Sequence, residues 1–402
     1  MSTIRIIYII LHLWEIWMLF KAGKKMSKAR TDKEYWKTSI WAFIPYIVVL
    51  GLRFGHNIDW NYYYIKYADN KSMDWDTTEP VFHFILYVFN TVGCPYFIFI
   101  SFQVAFFLFS FLLLAKYFRN CLYYILPLLP VMALSNDNYI RWYLALSFVL
   151  VSCFYLLSDK NRKYLYCTLF FTIGVLTHNG IVLLAFIGLV YFFGRYKSIP
   201  LKISVPAIFL SVFIASISIV SFLSEIALYI YILGGSSLED ANISHYLLKF
   251  NEVAAGGLDV TGINEYSLRN KIIMFISLTF VVIYGNLHLC RYKYGTFIYN
   301  LFVLGAILNP VFSTVEIFDR YSKALLVFQA IVAGIVYYNE LKEKSKSQFI
   351  RAFCIVSLLC TFYPFARYSL MTKADYRMMY IWDANGRKYI NTDLYINDFM
   401  RN

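Results

Sequence analysis

Charge is what this sequence lacks most. Only 15% of its 402 residues are Asp, Glu, Lys or Arg, against 60% hydrophobic and 20% aromatic residues, whereas soluble domains carry roughly 25% charged residues. That shortage excludes a water-soluble globule and points to a polytopic membrane protein. The alternating segments of roughly ten residues that mark a membrane barrel are missing as well. Backbone groups in hydrocarbon must be satisfied within each segment, so the apolar runs are helices and the fold class is all-α. Cysteine is sparse and dispersed: Cys94, Cys121, Cys153, Cys167, Cys290, Cys354 and Cys360 form no C-x-x-C pair and have no His at ligand spacing. They are expected to pack, without disulfides, zinc or any other metal. A P-loop, an H-E-x-x-H helix and a G-x-S-x-G elbow are all absent, and no cofactor is expected. There is no repeat of fixed period of the kind that symmetric transporters carry.

Long apolar runs are abundant. Reading them between charged and Gly/Pro punctuation predicts about twelve spans, near residues 4–20, 36–52, 96–115, 121–135, 139–157, 164–177, 180–193, 203–231, 271–290, 296–312, 322–338 and 349–365. The first contains Trp14, Glu15 and Trp17 and no small-residue cleavage site, so it is expected to be a retained span, with the mature chain starting near Met1. Residues 79–93 are apolar on one side only and are expected to lie at the interface or to enter partway.

The net charge of +13 comes from short basic clusters between apolar runs, which orient spans and do not signal nucleic acid. If 79–93 does not cross, six clusters fall on the cytoplasmic side: residues 21–37, Lys116/Arg119, 160–163, Arg195/Lys197/Lys202, Arg291/Lys293 and 342–351. One transmembrane domain, residues 1–365, then carries exterior loops 53–78 and 232–270, followed by an exterior tail, 366–402.

On that threading, Arg53, Asp59, Glu79, Arg141, His178 and Arg320 meet at one membrane face. Arg53 to Tyr63 places a guanidinium and a carboxylate beside Trp60 and Tyr63, rings suited to stacking on sugars or to anchoring in headgroups. Glu79-Pro80 also has the form of a plain helix start. Arg141 falls in the first turn of an apolar helix, where an arginine is usually functional unless it snorkels to water. His178-Asn179-Gly180 splits the apolar stretch 164–193, whose outer ends are both basic, so the chain must turn back at His178. A histidine at such a tip suits proton transfer near neutral pH. Asp319-Arg320-Tyr321 with Lys323 is an interfacial salt-bridge set or a cation cluster for a pyrophosphate leaving group. Asp74-Trp-Asp76 has D-x-D spacing, but an acidic loop produces that by itself. Glu15 is expected to make an interhelical hydrogen bond.

Taken in order, R-x-G-x-x-x-D-x-x-x-Y at Arg53 to Tyr63, Glu79-Pro80, Asn138-Tyr-Ile-Arg141 with Leu144-Ala145, the basic turn through Lys163, Thr177-His178-Asn179 and Asp319-Arg320-Tyr321 resemble the EpsG family of bacterial exopolysaccharide proteins. That family is similar to the Wzy-type polymerases of O-antigen and capsule assembly; Asn57 departs from it, at a position where glycine is expected in many members. The resemblance implies a polymerase in the bacterial cytoplasmic membrane that joins undecaprenyl-pyrophosphate-linked oligosaccharides at the outer face, among membrane lipids; the sequence leaves open whether it acts alone or with a chain-length regulator. The resemblance carries Arg141, Arg320, Arg53 and Lys323 to the pyrophosphate, His178, then Asp59 or Glu79, to the general base, and Trp60, Tyr63 and Tyr321 to the glycan. The competing classes are a flippase or exporter of lipid-linked oligosaccharide, a glycan ligase and an acyltransferase.

Overall fold

The computed structural model describes residues 2–68, 79–134, 138–213, 267–313, 316–342, 347–371 and 375–387. It is 85% helix, with no strand among the described residues; the single β-bridge pairs Arg53 with Tyr380. The helices are α1 (Thr3–Met26), α2 (Asp32–Tyr46), α3 (Asn57–Ala68), α4 (Pro80–Thr91), α5 (Tyr96–Ala115), α6 (Leu122–Met132), α7 (Ile140–Leu157), α8 (Lys163–Thr177), α9 (Phe186–Gly194), α10 (Leu201–Phe213), α11 (Leu268–Leu289), α12 (Gly295–Phe312), α13 (Glu316–Lys342) and α14 (Gln348–Met371).

Local chemistry sets several boundaries. Ser2 caps α1 by accepting from the Arg5 amide. Thr31 caps α2 through Glu34 N–H, and the Glu34 carboxylate accepts in return from the Arg30 amide at 2.8 Å. Pro45 cannot donate to the helical ladder, and α2 widens just after it into a π-helical turn, Ile47–Gly51. Gly55, at φ 65°, supplies the left-handed residue that turns the chain out of α2 towards α3.

Among the described residues, seven helical stretches are long and apolar enough to cross a membrane, and the continuous stretch Tyr96–Met132 counts as one of them. The protein is therefore a multi-pass membrane protein, although the seven do not reach the expected twelve. Part of the difference has a physical reason: the segments at 164–177 and 180–193 form helices of under 18 residues, and a hydrocarbon core of about 30 Å needs about 20; the expected span at 203–231 lies outside the described residues beyond 213. The turn at His178 forms as expected. Lys163 at the start of α8 lies 3.1 Å from the Tyr191 hydroxyl in α9, and Tyr164 stacks near Phe192, so the two limbs run back to back. α4 is 12 residues long and one-sided, burying Phe82, His83 and Leu86 while Phe84 and Tyr87 stay exposed. Its rise of about 18 Å agrees with an element that does not cross.

α6 sits centrally, packed between α1 and α13, while α5, α7 and α8 form one flank and α10 to α14 the other. Cys121, Cys153 and Cys354 are buried in this core. Glu15 is fully buried on α1, but the expected interhelical hydrogen bond is not made: neither carboxylate oxygen has a partner among the described residues. The loop at 232–266, Asp74-Trp-Asp76 and the chain beyond 387 lie outside the described residues.

Candidate active site at one end of the bundle

Glu79 occupies the N-cap position of α4, with Pro80 at the first helical position, yet its side chain does not cap that helix. The carboxylate points across to two other helices. One oxygen pairs with the Arg141 guanidinium in the first turn of α7. The other accepts from His178 Nδ1 at 2.5 Å and from the Asn179 backbone N–H at 3.1 Å. Because α8 ends at Thr177 and His178 is extended, the Asn179 amide is free of the helical ladder and available to the carboxylate. Glu79 is only 6% exposed, and burial alone would raise its pKa. The His178 hydrogen bond, the Arg141 charge and the Asn179 amide outweigh that and hold it below its ordinary value. Burial pushes His178 below its ordinary value, helped by Arg141 and Arg320 and opposed by Glu79. An ionised Glu79 beside a neutral imidazole requires the proton on Nδ1 and leaves Nε2 as the acceptor.

Around Nε2 stand Gly180, Tyr321 and Trp142. A Cβ built on Gly180 would lie 3.5 Å from His178 Nε2, 3.3 Å from the Tyr321 hydroxyl and 3.5 Å from the Trp142 ring. Tyr321 donates to the Gly180 carbonyl at 3.1 Å, and Trp142 meets both His178 and Tyr321 edge to face. Trp142 is 2% exposed, and its indole N–H has no partner among the described residues. Behind Arg141 lies the Tyr63 ring, 5.6 Å from the guanidinium carbon. Arg320 and Lys323 both sit over Tyr139, at 4.7 and 5.3 Å, and Lys323 also pairs with Asp319 at 2.5 Å.

The expected residues are therefore sorted into groups. Arg141 and His178 both touch Glu79, and Tyr321 and Arg320 adjoin them through Gly180, Trp142 and Tyr139. Asp59 is half-buried on α3, and its charge acts on Tyr63. Arg53 is fully buried, its backbone bridged to Tyr380. Next to it Phe54 N–H donates to Met379 O at 2.9 Å and His56 Nε2 meets the same carbonyl at 2.6 Å. Trp60 and Tyr63 are 2% and 3% exposed; Trp60 stacks on Tyr64 and Tyr63 packs on Phe82, so both rings are occupied by protein. Trp142 went unremarked in the sequence, because a Trp in an apolar helix carries no signal beyond packing; Gly180 was read there only as part of the turn at His178.

The basic clusters gather at the opposite end of the bundle. There Lys116 and Arg119 hold Asp32, and Lys293 holds Asp159.

An all-helical membrane bundle with a buried carboxylate–histidine–arginine constellation at one end defines a class of integral membrane protein with a polar site at a bundle end. Residues 36–378 match the EpsG family, and the chain belongs to that family. The assignment carries a polysaccharide polymerase role in general terms. No curated protein and no solved structure matches the chain.

Proposed function

We propose that this protein polymerises undecaprenyl-pyrophosphate-linked oligosaccharide units at the outer face of the bacterial cytoplasmic membrane. The observation that carries the reading is the Glu79 carboxylate shared between Arg141 and His178. In the proposed step an acceptor sugar hydroxyl attacks the anomeric carbon of the donor glycan. The new C–O bond forms as the bond from that carbon to the pyrophosphate oxygen breaks, and the electron pair leaves on undecaprenyl pyrophosphate. The hydroxyl proton passes to His178 Nε2, whose imidazolium is stabilised through Nδ1 by Glu79. Arg141 and Arg320 receive the pyrophosphate charge. Arg141 is about 30% exposed and has guanidinium donors beyond the one used on Glu79. Lys323 and Arg53 are weaker contributors on this reading, since the first is shared with Asp319 and the second is buried at the Tyr380 bridge. Tyr321 stands beside Nε2 and is the aromatic placed to meet a glycan. The outer face is supported by the basic clusters at the far end, which favour the cytoplasm.

The test is polysaccharide length on a gel, from a host deleted for this gene and complemented with wild type, Arg141→Ala or His178→Ala at matched membrane abundance. Single lipid-linked repeats outside the membrane with no ladder are expected for both variants. Repeats retained on the cytoplasmic leaflet would instead identify a flippase and sink the polymerase reading.

A further inference from the structure

A second concavity, of about 460 Å³, opens among α6, α11, α12, α13 and α14, and it includes none of Glu79, Arg141 and His178. Its lining follows α13 from Asp319 to Gln329, ten residues or about 15 Å of helical rise. It therefore starts at the end of the bundle that holds the Glu79 site and descends through about half of a hydrocarbon core. Tyr139 lines it, and the Arg320 and Lys323 side chains lie over that same ring. Trp142, three residues along the chain, meets His178. The beginning of α7 is thus a thin partition between the cavity and the Glu79 site.

Polar groups at this depth are costly unless partnered, and most of those around the cavity are. Ser277 and Thr361 bond at 2.7 Å, and Thr361 continues to Tyr337 at 3.0 Å. The Asn270 side-chain carbonyl accepts from the Tyr363 hydroxyl at 3.0 Å, and Asn309 accepts from Ser322 at 3.2 Å. Gln329 differs. It is 4% exposed, it lines the cavity, and among the described residues its amide has no hydrogen-bond partner. A carboxamide offers two donors and an acceptor in one plane, a set matched by neighbouring hydroxyls of a sugar ring. The Asn270 amide nitrogen, the rings of Tyr139 and Tyr363 and the exposed guanidinium of Arg367 at the outer end complete the lining. Amides for hydroxyls, rings for the apolar faces of sugars and a cation for an acidic substituent or a phosphate linkage form one coherent set.

We propose that this cavity is a saccharide-binding site, separate from the Glu79 site, which holds a terminal sugar unit of one glycan while the partner glycan reacts across the Tyr139 partition. The link to the reaction rests on the polymerase reading; the binding does not. Gln329 hydrogen-bonds the sugar hydroxyls, and Arg367 takes the acidic group.

The test is calorimetric titration of the full-length protein in nanodiscs with short oligosaccharides, released by mild acid from the exopolysaccharide of the cells that express it. Wild type and His178→Ala are expected to bind with equal affinity, and Gln329→Leu and Arg367→Gln each about tenfold more weakly. Unchanged affinity in both cavity variants, or no binding to wild type at about 10 mM sugar, overturns the proposal. So does binding of sugar-free polyprenyl phosphate with the same dependence on Gln329, which would make the cavity a lipid pocket. A normal polysaccharide ladder from His178→Ala cells, with binding intact, would remove the polymerase reading and leave the saccharide site standing.

Discussion

Glu79 serves three donors at once, and replacing it with glutamine keeps the volume while removing the charge that serves them. An amide at this position also turns a donor towards Arg141 or His178, a repulsive arrangement in a buried site. Glu79→Gln is expected to lower polymerisation of a purified lipid-linked repeat by about 10²- to 10⁴-fold, and Glu79→Gln/His178→Ala to be little worse than either single change. Full additivity of the two in the same assay would show that they do not act as a unit. The pH dependence follows from the same contacts. Burial lowers His178 from its ordinary value of about 6.5, so the basic imidazole persists as pH falls and is lost only below that range. Glu79, also held low, stays ionised across the same window. Activity is expected to be level from about pH 7 to 8 and to drop on a single limb only as pH falls below the ordinary imidazole value of about 6.5; a midpoint above that value would contradict the environment described for His178. Arg141 and His178 were legible in the sequence because each interrupts an apolar run. The role of Glu79 was ambiguous there, since Glu-Pro before an apolar segment has the same form whether the carboxylate caps its own helix or, as here, leaves it.

Among the elements, α6 shows most clearly how the bundle is held. It has only 11 residues and contains Pro127 and Pro130, yet two neighbours approach it backbone to backbone. A Cβ on Gly23 of α1 would stand 2.6 Å from the Leu122 carbonyl oxygen, and one on Gly334 of α13 would stand 2.7 Å from Ile125 Cα. Close approach through small residues is how helices associate where lipid removes the hydrophobic drive. Gly334→Ala is therefore expected to cost about 1–3 kcal/mol, seen as a lowered melting temperature in detergent, while Gly188→Ala, with open space around it, leaves the melting temperature unchanged. The hairpin of α8 and α9 and the short α4 were readable from basic residues at the ends of one apolar stretch and from one-sided hydrophobicity. The span count was not, because apolar runs give the same composition signal whether the helix inside them has 15 residues or 24.

At the scale of the whole molecule, the two ends of the bundle differ in kind. One gathers Glu79, Arg141, His178 and the saccharide cavity, and the other gathers lysines paired with Asp32 and Asp159. With the lysine end in the cytoplasm, a membrane-impermeant maleimide is expected to label Cys290, which is exposed beside Arg291, only after permeabilisation. A cysteine placed at the exposed Trp382 is expected to react in intact spheroplasts. The reverse pattern would place the active end inside and exclude an outer-face reaction.

The sequence by itself determined that this is a helical membrane protein, that its chain reverses at His178, and that Arg141, His178 and Glu79 share one level of the bundle. Hydropathy and the placement of Lys and Arg are properties of short segments, and they survive without knowledge of neighbours. Only the tertiary structure decided the pairings. Glu79 reaches partners 62 and 99 residues away, Arg53 bridges to Tyr380 near the other end of the chain, Trp60 and Tyr63 turn inward, and Gln329 is left facing a cavity. These outcomes depend on how each helix is rotated about its own axis against its neighbours. Helices that are apolar nearly all round do not encode that rotation in their own sequence, so contacts between helices settle it.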